Sequence, residues 1–360
     1  MNRPFQPPAA QPVRYPFTGN EMFVRNAWYV AAVGSEIGEA PTGRTVLGEP
    51  LVLYRTAAGE AVCLEGACPH RQYPLAQAWK EGDQLRCPYH GLRFGPDGRC
   101  TEIPSQAEIP PNCFLRRYPV LERWPWVWVW MGDPEHADPS LAPDAETTWL
   151  RDEASGFVAE PLPIAGRYPL LTENLLDLSH IPFLHQKGQG GGWARGTDWP
   201  EEQLDAASDG AWLRGTRVFE LPRHDLPPEA GLSEPAELTL SLTYYPPTFF
   251  VGRLAYRALG AGDGARPEIR NIHAFTPVNA RETIYHFASG RNFALGNGAV
   301  TAHYRERYRA VLEDDKAAAE LIEPMVDRPG RRPDFVARAD RSAIRGRRAL
   351  QAMIDVESDC

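Results

Sequence analysis

The sequence predicts an α+β chain, with an all-β N-terminal domain followed by a larger domain that mixes strands with a long helix. Three features carry this reading. Between Ala27 and Asp133, short β-prone runs are broken every few residues by Gly, Pro or Asp, the rhythm of a small antiparallel domain. Farther on, residues 236–245, 269–276 and 283–288 read as longer strands. Residues 301–323, just before Pro324, repeat apolar side chains at helical spacing.

In chain order, residues 1–22 are rich in proline and lack the apolar core of a signal peptide, so they read as an extended arm. The β domain occupies 23–135, with strands expected at 27–33, 44–47, 51–54, 61–64, 84–86 and 114–120. The stretch Trp124-Pro125-Trp126-Val127-Trp128-Val129-Trp130 alternates with period two and puts four indoles on one face. Such a strand packs its rings into a core or a domain contact. A proline-containing linker begins near 133–138, and residues 136–360 form the second domain.

Composition excludes several classes. A net charge of −9 and a pI near 5.6 offer no basic surface for nucleic acid or anionic lipid. No run of about 18 apolar residues occurs, so a membrane span is not expected, and the cytoplasm is the expected location. Six cysteines are too few for a disulfide scaffold at this length. Cys63, Cys100, Cys113 and Cys360 read as small hydrophobes or incidental thiols.

Two loops of the β domain carry chemistry: Cys68-Pro69-His70 and Cys87-Pro88-Tyr89-His90. Each pairs a thiolate with an imidazole. A two-iron two-sulfur cluster with two cysteines on one iron and two histidines on the other needs this inventory, drawn equally from two loops. Gly91 lets backbone approach the cluster. Structural zinc uses the same atoms, but the pairs mix Cys with His and no zinc-finger helix is expected beside them.

A second constellation lies in the segment 173–185, Glu-Asn-Leu-Leu-Asp-Leu-Ser-His-Ile-Pro-Phe-Leu-His. If its first part is helical, Asn174, Asp177 and His180 share a face, and Pro182 disturbs the helix so that His185 can swing back toward His180. The segment reads either as a buried metal site or as one core and one surface histidine. A further carboxylate would complete a site with open positions for dioxygen. In the expected helix 301–323 the apolar stripe runs through Tyr304, Tyr308, Val311, Ala318 or Ala319, and Ile322, and Asp315 falls within it. Glu313 and Asp314 point sideways or outward. An acid on an apolar face must be paired or bind a metal; the competing reading pairs Asp315 with Arg305 or Arg309.

The motifs Cys68-Pro-His70-Arg and Cys87-Pro-Tyr-His90-Gly resemble the Rieske family, and with the second constellation the chain from about Phe23 to Val326 resembles the oxygenase component of a Rieske non-haem iron oxygenase. The resemblance implies a helix-grip catalytic domain, an antiparallel sheet wrapped around helices. It implies that Cys68, His70, Cys87 and His90 hold the 2Fe-2S cluster, and that His180, His185 and Asp315 hold a mononuclear Fe(II), with Asn174 and Asp177 beside it. Residues Phe23-Val-Arg-Asn-Ala-Trp-Tyr-Val30 look most like the vanillate O-demethylase and dicamba demethylase branch. That branch implies a head-to-tail homotrimer in which Asp177 links His180 to a neighbour's His90. The implied reaction consumes O2 and O-demethylates a methoxylated aromatic acid to a phenol and formaldehyde.

No flavin or nicotinamide motif is present, so a separate NAD(P)H-dependent reductase, directly or through a ferredoxin, is the expected electron source. His273 resembles a substrate-binding histidine of the demethylases, and His286 lies in a similar strand context. Arg167, Arg253 and Arg257 are candidate partners for a substrate carboxylate. Where some relatives carry a tryptophan near the ligand Asp, this chain has Glu306, which opens the substrate to other identities. The glycine-rich 188–192 reads as an entrance lid. Two alternatives stay open: an oxygenase of this class acting on a ring, methyl or N-methyl group, and an electron carrier with no substrate.

Overall fold

The computed structural model describes residues 23–152, 156–185, 199–208, 210–260 and 266–358. The expected N-terminal arm, Cys360 and the glycine-rich loop at 188–192 lie outside these residues. Among the described residues, no helix is long and apolar enough to cross a membrane.

The N-terminal part builds three small antiparallel sheets from short strands. Trp28–Val33 pairs with Trp126–Trp130, which pairs with Val120–Arg123. Thr42–Val46, Glu49–Arg55, Ala61–Glu65 and Arg117–Tyr118 form a second sheet, and Trp79–Glu81, Gln84–Arg86, Arg93–Phe94 and Cys100–Glu102 a third. The run expected as one strand at 114–120 is instead divided between two sheets, because Pro119 has no N–H to continue a ladder.

The C-terminal part is one eight-stranded antiparallel sheet. Its order is Gly156–Val158, Glu282–Arg291, Glu268–Asn279, Phe249–Ala258, Ala236–Tyr245, Leu213–Leu221 and Gln203–Ala206, with Leu162–Ile164 also pairing to Glu282–Arg291. The long central strands are buried on both sides, which explains why they read as apolar runs. One face carries Tyr244, Phe250, Phe275, Tyr285 and Phe287 toward the helices. The other carries Phe249, Val251, Ile272, Ala274 and Ala288 against the tryptophan strand. That strand is Trp126–Trp130, so three tryptophans lie in it and Trp124 precedes it; their rings join the two parts of the chain. Thr276 Oγ1 donates to the Val30 carbonyl at 2.7 Å across the same contact.

Three helices fill the sheet's inner face: Tyr168–Leu176, Gly298–Val326 and Arg341–Ser358. A Cβ on Gly346 would collide with Leu176, so this glycine sets how closely the last helix approaches the first. Glu173 pairs with Arg347 across that contact. The long helix starts on Asn297, whose Oδ1 accepts from the amides of Ala299 and Val300. It runs through Pro324 rather than stopping before it. Near its end the buried position is also not the expected one, since Ile322 is exposed and Glu323 is buried against Arg167.

Candidate metal centre

The helix Tyr168–Leu176 ends at Asp177, which is extended at φ −118° and ψ 95°. Leu178–His180 then forms a 3-10 turn, and Ile181–Leu184 a short helix with Pro182 in its first turn. Two expectations are corrected here. Asp177 breaks the helix, so it does not share a helical face with His180. Pro182 starts a turn of helix rather than disturbing one, as its missing N–H permits at that position.

This bend brings His180 and His185 together with Asp315 of the long helix. One ligand atom from each lies within 4.8 Å of the others. Asp315 Oδ1 is 3.6 Å from His180 Nε2 and 3.4 Å from His185 Nε2. His185 and Asp315 are buried and His180 is half-buried. Each imidazole is held by its other nitrogen. His180 Nδ1 is 2.8 Å from the carbonyl of Asp177, and His185 Nδ1 is 3.2 Å from Asp314 Oδ2. With Nδ1–H donating in both, the Nε2 lone pairs face the carboxylate and are free to bind a cation.

Asn174 completes the group, its Nδ2 donating to Asp315 Oδ1 at 3.1 Å. The expected arginine partners are engaged elsewhere: Arg309 pairs with Glu306, and Arg305 donates to the Val158 carbonyl. Burial pulls the His185 pKa down, but the carboxylates of Asp315 and Asp314 outweigh it and hold the ring above the ordinary histidine value. The site attracts positive charge. Two imidazoles and one buried carboxylate on one side of a cavity fit a divalent iron with open positions. Asp314, expected to point sideways or outward, orients His185.

The cavity beside this triad has a volume of about 140 Å³, near that which admits one benzene ring. Leu175, Leu240, Leu254, Phe287 and Val311 are among its apolar walls. Its polar positions include Asn271, His273, Tyr285, Arg307 and Tyr308. His273 Nδ1 lies 2.6 Å from the Tyr285 hydroxyl, and burial drives the His273 pKa down to about 4. Asn271 Nδ2 donates to the Tyr308 hydroxyl at 2.9 Å. Asn271 and Tyr285 were not expected; both sit at period-two spacing on strands whose inward face could have pointed to them.

His286 is not brought to this cavity. It lies on the opposite face of the sheet against Trp126, with Nδ1 buried and without a hydrogen-bond partner among the described residues. Arg167, Arg253 and Arg257 are also absent from the lining, paired with Glu323, Glu268 and Glu237 respectively. Glu306 faces solvent, while its neighbour Arg307 lines the cavity.

The two Cys/His loops are built alike. The amide of Cys68 donates to the Tyr73 carbonyl, and the amide of Gln72 donates back to the Cys68 carbonyl; Cys87, Leu92 and Gly91 repeat the pattern. Gln72 and Gly91, each four residues after its cysteine, both have left-handed backbone, at φ 56° and 74°. Cys68 and Cys87 are buried, whereas His70 and His90 are exposed with ring centroids 4.4 Å apart. Burial raises the Cys68 thiol to about 11, against the backbone amides of His70 and Arg71 that favour its thiolate. Two inner thiols, two outer imidazoles and amide donors at sulfur fit a 2Fe-2S cluster ligated asymmetrically.

Comparison with known proteins assigns both parts of the chain to described families. Residues 27–119 match the Rieske [2Fe-2S] domain, and residues 164–356 match the vanillate O-demethylase oxygenase C-terminal domain. The iron-sulfur subunit of a toluene-4-sulfonate monooxygenase system from Comamonas testosteroni is 33% identical, over 94% of this chain and 99% of that protein. The oxygenase component of dicamba O-demethylase from Stenotrophomonas maltophilia is 30% identical, over 93% and 99%. A crystal structure of dicamba monooxygenase with non-heme iron and dicamba superposes with a TM-score of 0.80 at 29% identity, covering 94% of this chain and 99% of that one.

Proposed function

The chain belongs to the Rieske non-haem iron oxygenases of the vanillate O-demethylase type, and from this premise we propose that it O-demethylates a methoxylated aromatic acid to a phenol and formaldehyde. As an oxygenase component of this family it carries a Rieske 2Fe-2S cluster and a mononuclear iron, and uses O2 as co-substrate. The observation that carries the finer reading is the cavity: single-ring in size, apolar along its walls, polar at His273 and Arg307, and open to the His180–His185–Asp315 triad.

Each residue then has a task. His180, His185 and Asp315 hold the iron, while Asp177, Asp314 and Asn174 fix their orientation. When bound, the iron supplies reductive activation of dioxygen beside the substrate. The leucines and Phe287 keep the cavity dry. Tyr285 O–H donates to His273 Nδ1, which leaves the His273 proton on Nε2 for a substrate oxygen. Arg307 adds a fixed positive charge for the substrate's anion. An aryl methoxy carbon hydroxylated in this position is a hemiacetal, which breaks down to the phenol and formaldehyde.

Electrons come from a separate NAD(P)H-dependent reductase. The chain works as a head-to-tail homotrimer, in which Asp177 links His180 to His90 of the partner subunit. Exposure of His70 and His90 supports this, since the cluster's imidazole edge is then presented outward. The similarity to a toluene-4-sulfonate monooxygenase subunit supports a second reading, hydroxylation of a ring methyl group in the same geometry.

The test is a panel of methoxybenzoates and matching methylbenzoates or sulfonates, run on the purified oxygenase with a surrogate reductase. O-demethylation predicts formaldehyde equal to substrate consumed. Oxygen uptake coupled to product formation without formaldehyde would replace it with the second reading.

A further inference from the structure

Cys100 and Cys113 have no part in the metal chemistry above, yet they face each other in the cluster-bearing domain. Cys100 opens the strand Cys100–Glu102, and Cys113 follows the exposed excursion 104–112. An isolated antiparallel bridge joins Arg99 to Phe114, and continuing its register by one residue would set Cys100 opposite Cys113. Facing residues of antiparallel strands have Cα atoms about 4.5–5.5 Å apart, inside the roughly 4.4–6.8 Å that a disulfide spans. Both are free thiols, near enough for each to act on the other electrostatically, and Cys100 Sγ donates to the Glu102 carbonyl at 3.5 Å. Cys100 is buried in the same core as Cys68 and Cys87, while Cys113 is half-buried at its edge and reachable from solvent.

The loop between them covers a cluster loop. A Cβ on Gly91, the residue after His90, would lie 2.9 Å from Pro104 Cγ, so Pro104 rests on the turn that carries Cys87 and His90. The segment is held at one end by the strand Cys100–Glu102. At the other end a covalent tie would close it into a ring, removing the open conformations of the loop.

We propose that Cys100 and Cys113 form an oxidation-dependent disulfide that clamps the 100–113 loop over the second cluster loop and slows loss of the cluster. The oxidant class is hydrogen peroxide, the two-electron reduction product of the dioxygen this protein consumes. One cysteine loses its proton and attacks a peroxide oxygen; the O–O bond breaks, giving a sulfenic acid and, with that proton, water. The second thiol attacks the sulfenic sulfur, the S–S bond forms, and the hydroxyl leaves with the second proton as water. Two thiols are oxidised and one peroxide is reduced to two waters. Burial pushes the Cys113 thiol up to about 12, which makes this a slow response to sustained peroxide rather than a fast sensor.

The experiment uses the holoenzyme, reduced with dithiothreitol, desalted and treated with a small excess of hydrogen peroxide. It is then alkylated, digested and analysed by mass spectrometry without reduction, while cluster absorbance is followed in parallel under a chelator. The expected result is a Cys100–Cys113 linked peptide and a severalfold slower loss of absorbance than in the reduced enzyme, both reversed by dithiothreitol. Cys113→Ser should give neither. Cys113→Ala serves if the serine variant folds poorly, and either variant controls for direct peroxide damage to the cluster. Recovery of Cys100 and Cys113 as separately alkylated peptides, or equal rates of cluster loss in linked and reduced enzyme, overturns the proposal.

Discussion

Asn174 Nδ2 donates to Asp315 Oδ1 at 3.1 Å, and this same oxygen is the one that lies 3.4 Å from Nε2 of His185. The amide therefore fixes the carboxylate at the position where the triad converges. Replacing Asn174 with alanine should weaken iron binding by about 10-fold, the lower range for loss of a residue that orients a ligand. Iron titration of the apo-site checks this, with cluster absorbance unchanged as the control for folding. Unaltered affinity would mean that the long helix alone positions Asp315.

Asp177 does two separable things. Its carbonyl accepts from His180 Nδ1, and its carboxylate caps the Ser179 amide at 2.9 Å. Asparagine keeps both, because it retains the carbonyl and one side-chain oxygen. Asp177→Asn should thus preserve cluster and iron content while nearly abolishing coupled turnover, because the charged carboxylate proposed to link His180 to the neighbouring cluster is lost. Normal turnover with both metals in place would overturn the proposed role of Asp177 in a link between subunits.

Arg307 gives a test of substrate charge. A charge-assisted hydrogen bond to an anion contributes roughly 1.5–3 kcal/mol, so Arg307→Ala should raise KM for an aromatic acid by about tenfold or more with little change in kcat. A neutral analogue such as the corresponding amide should show no such increase. Equal effects on acid and amide would argue that Arg307 shapes the wall rather than reads the charge.

His286 and His273 make stability pH-dependent. Burial lowers His286 to about 3 and His273 to about 4 in the folded protein, against about 6.5 in the unfolded chain. Between about pH 6.5 and those values the unfolded state binds more protons, so stability falls as pH falls; above about 6.5 neither group contributes a slope. His286→Phe removes one of the two and also its unpaired Nδ1. The drop in Tm between pH 7.5 and pH 5 should shrink in that variant, and a drop equal to that of the parent protein would show that His286 is not held neutral.

The two Cys/His loops were legible because the paired residues of each lie within four positions, so local spacing carries the signal. Asp315 was legible as an acid inside an apolar stripe. What escaped depends on partners distant in sequence. His273 and His286 look equivalent along the chain, but the register pairs His273 with Phe287 and Ala274 with His286, and only facing residues share a side of the sheet. Asp314 points sideways on a helical wheel, yet His185 approaches from that side. The break at Asp177 was hidden as well, since nothing between Glu173 and His180 other than the Asx turn to Ser179 marks it. Glu323 displaced Ile322 from the buried stripe because Arg167, more than 150 positions earlier, waits there.

That ion pair yields the last prediction. Arg167 is 2% exposed and Glu323 7%, joined by bonds of 2.7 Å from Nη2 and 2.9 Å from Nε, with Asp327 at 2.6 Å on the same guanidinium. The backbone amide of Arg167 also donates to Glu323, so this carboxylate ties the entry of the helix Tyr168–Leu176 to the end of the long helix. Both helices carry metal-site residues. Removing one partner leaves the other charge buried without compensation, a loss of about 3–5 kcal/mol, so Arg167→Met should lower the denaturant midpoint substantially. Replacing both residues, as Arg167→Met with Glu323→Leu, removes the buried charges together and should recover most of that loss, because desolvation offsets much of what a buried pair contributes. The Glu323 bond to the Arg167 amide would still be missing, so a remaining deficit of about 1 kcal/mol is expected. Equilibrium unfolding of the parent, single and double variants measures the three values, and a double variant no more stable than the single would show that the ion pair itself, rather than the uncompensated charge, holds the two helices together.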